Sequence, residues 1–109
     1  MQLKERLNPF SKRVSPDYCP HQNRDVTLWE LEDSIILYDP QTEQAHVLNQ
    51  TAVAVWELCN GSRDAREIVG RVADSWGAAP EAVAPQVVET LEQLQQFRLV
   101  LGQTTSSRR

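Results

Sequence analysis

The chain has little of what enzymes and metal proteins are usually built from: its 109 residues include two cysteines, two histidines and four glycines. Cys19 in a Pro-rich segment and Cys59 near a helix end make no disulfide framework, and in a reducing compartment both are expected as free thiols. Zinc sites usually show two clusters of closely spaced ligands, whereas here only Cys19 and His21 are neighbours, so no metal is expected. A Gly-rich phosphate loop and a Gly-x-Ser-x-Gly elbow are both missing, which leaves catalysis without a motif and implies no cofactor. Also missing is an apolar run of about 18 residues, which excludes a membrane-spanning helix. The opening MQLKERLNPFSKRV is charged and Pro-broken where a signal peptide needs an apolar stretch, so a cytoplasmic protein is expected.

Positive charge is scarce in the middle of the chain. Residues 1–24 carry five Lys/Arg against two acids, and residues 102–109 carry Arg108 and Arg109, whereas residues 25–101 carry four Arg against thirteen Asp/Glu. A segment this acidic repels a phosphate backbone. Its length and 40% apolar content suit one small core, and no internal repeat is present.

Pro9, Pro16 and Pro20 interrupt residues 1–24, which read as a flexible arm, so the domain is expected to span 25–101 with a disordered tail at 102–109. VTLWELE and SIILYD read as two strands of a hairpin turning near Glu32 and Asp33. Asp39-Pro40-Gln41-Thr42 is a turn sequence, and it feeds a third short strand through Ala45-His46-Val47-Leu48, the free edge of the meander. On that strand His46 alternates with Ala45 and Val47, so it points away from whatever face those two bury.

Asn49 can cap a helix over roughly 50–60, along which Ala52, Val55, Trp56 and Cys59 recur until Gly61 stops it. A capping box at Asp64-Ala65-Arg66-Glu67 starts a second helix with the stripe Ala65, Ile68, Val69, Val72, Trp76, ending at Gly77. Val83, Val87, Leu91 and Leu94 mark a third, in which Pro85 either begins the regular part or makes a kink. Leu99-Val100-Leu101 is expected to close the domain against the sheet. Trp56 and Trp76 lie in their helices' apolar stripes and are expected in the core, while the placement of Trp29 stays open. The fold class is α+β and winged-helix-like, a three-stranded antiparallel meander followed by three helices.

The string LNQTAVAVWELCNG, preceded by a strand with a DP turn and followed by Glu67-Ile68, Val87, Leu91, Leu94 and a Leu-Val pair, resembles the pyrroloquinoline quinone biosynthesis protein D (PqqD) family. The matching positions are Leu48-Asn49, Thr51-Ala52, Val55-Trp56 and Leu58-Cys59-Asn60-Gly61, within a resemblance covering about residues 25–101. Arg98 stands where the family commonly has Gly. The resemblance implies a chaperone-like recognition element of natural-product biosynthesis without activity of its own. Such an element captures the leader of a ribosomally made precursor peptide and presents it to a modifying enzyme, often a radical SAM enzyme.

The physics of the capture can be argued from the meander alone. Its last strand exposes unpaired N–H and C=O groups that an extended peptide can satisfy by adding as a further strand. Glu43, Gln44, Ala45, His46, Val47 and Leu48 are the candidate edge. Val87, Val88, Leu91 and Gln95 are candidates for the opposite wall if the third helix flanks it, although Val87 and Leu91 also suit a core. Two rivals come from other classes: a DNA-binding winged helix, opposed by Glu81, Glu89 and Glu92 on the third helix, and an adaptor that binds a folded protein. Oligomeric state is left open by the sequence, because a free edge strand also permits exchange between chains.

Overall fold

The structure is a computed structural model that describes residues 9–32 and 34–104. In chain order the elements are β1 (Tyr18–Gln22), β2 (Thr27–Glu30), β3 (Ile35–Asp39), β4 (Gln44–Leu48), α1 (Gln50–Leu58), α2 (Ala65–Trp76), α3 (Pro80–Gln96) and β5 (Val100–Thr104). Strands β2, β3 and β4 form the expected antiparallel meander in that spatial order, followed by the three expected helices. To this the structure adds an antiparallel pair, β1 with β5, in which Tyr18 faces Thr104 and Gln22 faces Val100.

That second sheet revises the division of the chain. Residues 18–22, in the segment that reads as a flexible arm reaching to residue 24, and residues 102–104, in the segment that reads as a disordered tail, are both strand. Residues 1–8 of the arm and 105–109 of the tail lie outside the described residues. Leu99-Val100-Leu101 closes the domain as expected, but it does so against β1 instead of the meander. Burial explains why the segment before β1 holds on: Val14 is fully buried and Tyr18 nearly so. Three polar contacts fasten it to the helices. Ser11 Oγ donates to Glu92 Oε2 at 2.6 Å, Gln95 Nε2 to the Arg13 carbonyl at 3.0 Å, and the Arg66 N–H to the Pro16 carbonyl at 3.0 Å.

Local signals account for most helix ends. Asn49 Oδ1 accepts from the Ala52 N–H at 2.8 Å and Asp64 Oδ1 from the Glu67 N–H at 2.9 Å. Glu67 does not complete a reciprocal box, since its carboxylate instead meets Arg71 at 3.1 Å and Arg63 at 3.9 Å. Gly77 takes the left-handed conformation that ends α2 (φ 63°, ψ 37°). Gly61 does not end α1: the helix stops at Leu58, capped at Cys59. Residues 59–61 are drawn off to β1, where the Gln22 N–H bonds the Cys59 carbonyl (3.1 Å) and the Gly61 N–H bonds the Pro20 carbonyl (2.9 Å). Helix α3 starts at Pro80, a favoured first helical position, so Pro85 lies inside it.

The core joins Leu37 of the meander, Val55 and Trp56 of α1, Ile68 and Val72 of α2, Val87 and Leu91 of α3, Leu99 just before β5 and Val100 at its start. The Trp56 indole N–H reaches the Leu99 carbonyl at 3.3 Å, which satisfies a polar group that burial would otherwise strand. Trp76 departs from expectation. As the last residue of α2 it is 42% exposed, because its stripe runs past the end of the packed helix.

Candidate functional site

Strand β4 pairs with β3 on one side only, so its other side is the free edge of the meander. Asp39 shapes the turn that delivers it: its carboxylate accepts from the Gln41 N–H at 2.9 Å and its carbonyl from the Glu43 N–H at 2.7 Å, and Glu43 adopts φ 60°. The phase of the ladder decides which groups are left over. The Leu31 N–H donates to the Ser34 carbonyl at 2.8 Å, closing the β2–β3 turn. Because antiparallel partners alternate between bonded and non-bonded pairs, Ile36 and Tyr38 bond toward β2, whereas Ile35, Leu37 and Asp39 bond toward β4. Their partners Leu48, His46 and Gln44 therefore spend their backbone groups on β3. Ala45 and Val47 turn their N–H and C=O groups to the free side.

That free side faces a groove of ≈ 340 Å³ running between β4 and α3. Its far wall is Thr90, Gln93 and Phe97, spaced three and four residues apart on one face of the helix, with Leu94 and Ala52 beneath. His46 packs its ring on Phe97, centroids 4.7 Å apart at a tilt of 38°, and so ties the strand to the end of α3. Such a groove offers main-chain pairing along one wall and shallow, mostly neutral side-chain contacts along the other.

The sequence-based candidates divide sharply. Glu43, Gln44, Ala45 and Val47 are exposed at the edge, His46 is half-buried in the groove and Leu48 is buried beneath it. On α3 the groove wall differs from the expected one: Val87, Val88 and Leu91 are buried in the core and none of them lines the groove. Gln95 is engaged by the carbonyl of Arg13, so it serves the N-terminal segment and not the groove. Thr90, Gln93 and Phe97 are not among the residues the sequence points to, because the apolar stripe of α3 marks its core face and the groove wall is the more polar face beside it.

His46 alternates with Ala45 and Val47 as expected, but the buried face is the opposite one. Ala45 and Val47 bury nothing, Val47 being 68% exposed, and His46 is the one that turns inward. An isolated bridge pairs His21 with Asn60, which brings the segment of Cys19, Pro20 and His21 beside Cys59. Both thiols are free. Burial pushes Cys59 up to about 12, and burial followed by the charges of Asp64, Asp17 and Glu67 raises Cys19. Among the described residues no group of three His, Cys, Asp or Glu is arranged to hold a metal, and no helix is long and apolar enough to cross a membrane.

Residues 34–100, which hold the edge, the groove and all three helices, match the family model of coenzyme PQQ synthesis protein D, PqqD. The chain belongs to the PqqD family. Among solved structures, the PqqD truncation of Methylobacterium extorquens PqqCD matches with a TM-score of 0.66 and 24% identity, over 87% of this chain and 99% of that one. That truncation is described as a functional, stand-alone recognition element for ribosomally synthesised and post-translationally modified peptides. TbiB1, solved in complex with the TbiA(beta) leader peptide, matches with a TM-score of 0.63 and 19% identity, over 73% of this chain and 93% of that one. Both likenesses extend the shared fold beyond what sequence identity carries. No curated protein matches the chain.

Proposed function

We propose that this PqqD-family chain captures the leader of a ribosomally made precursor peptide by strand addition to β4 and presents it to a modifying enzyme of the radical SAM type. The observation that carries this reading is the free edge itself: Ala45 and Val47 offer unpaired backbone groups to a groove whose other wall is Thr90, Gln93 and Phe97. Main-chain pairing supplies register and much of the affinity, and the groove selects alternate side chains of the peptide. The fold shared with TbiB1, which was solved with a leader peptide, and with the Methylobacterium extorquens recognition element supports the same assignment. Two free thiols and the absence of a spanning helix among the described residues fit a chain that meets its peptide in the cytoplasm, where the peptide is made.

The rival winged-helix reading needs α3 in a DNA groove, yet that helix carries Glu81, Glu89 and Glu92 and no Lys or Arg. The test is calorimetry with a short precursor peptide, chosen by its being encoded next to a peptide-modifying enzyme in the same genome, compared with the same precursor lacking its leader. Loss of the leader is expected to weaken binding at least about a hundredfold, roughly 2.7 kcal/mol. Equal binding of both peptides, or tight and salt-sensitive binding of random duplex, would reject the reading.

A further inference from the structure

The meander has a second surface that leader capture leaves unused. Its inner face carries Leu37 and Leu48 into the core. Its outer face, by the alternation of side chains along strands, carries Trp29, Ile36 and Val47 in one cross-strand row and Thr27, Tyr38 and Ala45 in the next. Trp29 stacks on Tyr38 with centroids 5.4 Å apart and planes 4° from parallel, yet stays 49% exposed; Val47 is 68% exposed and Leu31, at the end of β2, 56%. Contiguous apolar surface of this kind on a small domain marks an interaction site.

Charge says what kind of partner fits. From Asp25 to Ser62 the chain carries seven acids and no Lys or Arg. Glu30, Glu32 and Glu57 rim an open groove of ≈ 560 Å³ that begins at Leu31 and runs between the β2–β3 turn and α1. None of these three glutamates has an ion-pair partner among the described residues. A second copy of the chain would bring the same acids face to face, which opposes self-association through this surface. A protein patch with an apolar centre and a Lys/Arg rim complements it.

Continuity with the leader edge gives the surface its role. Val47 stands on the outer face while its backbone groups face the free edge, so a peptide added beside β4 extends the same sheet. Its alternate side chains enter the groove toward Thr90 and Phe97, and the intervening ones extend the row of Trp29, Ile36 and Val47 outward. We propose that the outer face of β2–β3–β4, completed by the bound leader, docks the modifying enzyme through an apolar patch ringed by Lys and Arg. This rests on the leader-capture reading above. The enzyme then reads carrier and leader as one four-stranded surface, which favours loaded over empty carrier.

The experiment places photoreactive benzoylphenylalanine at position 29 or at position 90 of the full chain in its native host, with crosslinked products identified by mass spectrometry. Position 29 is expected to capture a peptide-modifying enzyme, with a yield falling at least about fivefold between low and high salt and falling again when the precursor gene is deleted. Position 90 is expected to capture the precursor. Trp29→Lys is expected to weaken binding of that purified enzyme about tenfold or more, leaving precursor affinity unchanged. Docking is overturned, with leader capture intact, if position 90 takes the precursor while position 29 takes a second copy of the chain, a different class of protein, or nothing. Unchanged enzyme binding by Trp29→Lys overturns it equally. Failure of position 90 to take the precursor counts against leader capture itself and, with it, against docking.

Discussion

The two sheets among the described residues are made from strands of four or five residues and end in opposite conditions. In the β1–β5 pair, the strands come from opposite ends of the chain and the far side of β1 is taken up by residues 59–61. Gly102 lies so close to β1 that a Cβ there would sit 2.3 Å from the Cys19 carbonyl oxygen and 2.8 Å from the Pro20 Cα. The meander is built by local turns, keeps one edge unpaired and leaves an apolar face in water. The difference separates two jobs. The first sheet locks the N-terminal segment and the end of α3 into the domain, which holds the second sheet's edge at a fixed distance from Thr90, Gln93 and Phe97.

The strongest way to break the comparison is at the lock. Gly102→Ala forces apart two backbones that have no flexible group to yield, and is expected to cost about 3 kcal/mol, on the order of 15 °C in Tm by calorimetry. A loss in stability as small as that of an ordinary surface substitution would show the β1–β5 sheet to be decorative.

Val47→Pro tests the open edge. It deletes a donor that faces the groove and no donor of the β3–β4 ladder, so leader affinity is expected to fall about tenfold, the worth of one or two backbone hydrogen bonds. Stability is expected to change little, since edge strands tolerate proline where the N–H faces outward. Lost stability with unchanged affinity would mean that the ladder has the opposite phase.

The thiols sharpen the contrast from within the closed region. Burial holds Cys59 up to about 12, whereas in the unfolded chain a thiol ionises near roughly 8.5. The stabilisation tied to this group is therefore fully present below the unfolded value and is lost as pH rises toward the folded one. Iodoacetamide at mildly alkaline pH is expected to label Cys19 in the folded protein, and Cys59 only as fast as the protein unfolds. Equal labelling rates would show the closed region to be open.

The smallest effect is at Arg98, which adopts φ 59°, a left-handed conformation that favours Gly. Its carbonyl accepts from Asn23 Nδ2 at 2.7 Å, so the backbone is held in that conformation. Arg98→Gly is expected to stabilise the domain by about 0.5–1 kcal/mol, read as a higher denaturant midpoint.

Most of the architecture was legible because its signals are local. Alternation in SIILYD, the Asp39-Pro40 turn and the caps at Asn49 and Asp64 each act within a few residues, and the meander and helices appear where these signals place them. Strand β1 was not legible: YCPHQ contains a proline, has no clean alternation and pairs with residues far away at 100–104. The same range of action limits the site. The free edge could be read from strand order, whereas the wall on α3 could not, since Val87 and Leu91 signal apolar burial and nothing local marks Thr90 and Gln93 as facing β4. The end of α1 moved for a similar reason, because Asn60 and Gly61 are recruited by a strand that the sequence does not announce.

Main-chain pairing at the β4 edge is the central claim, and amide hydrogen exchange with and without the leader peptide tests it most directly. Leader binding is expected to slow exchange at Ala45 and Val47 at least about tenfold, with Gln44, His46 and Leu48, already bonded to β3, changing far less. Unchanged exchange at Ala45 and Val47 under saturating leader, with protection appearing on α2 instead, would contradict strand addition.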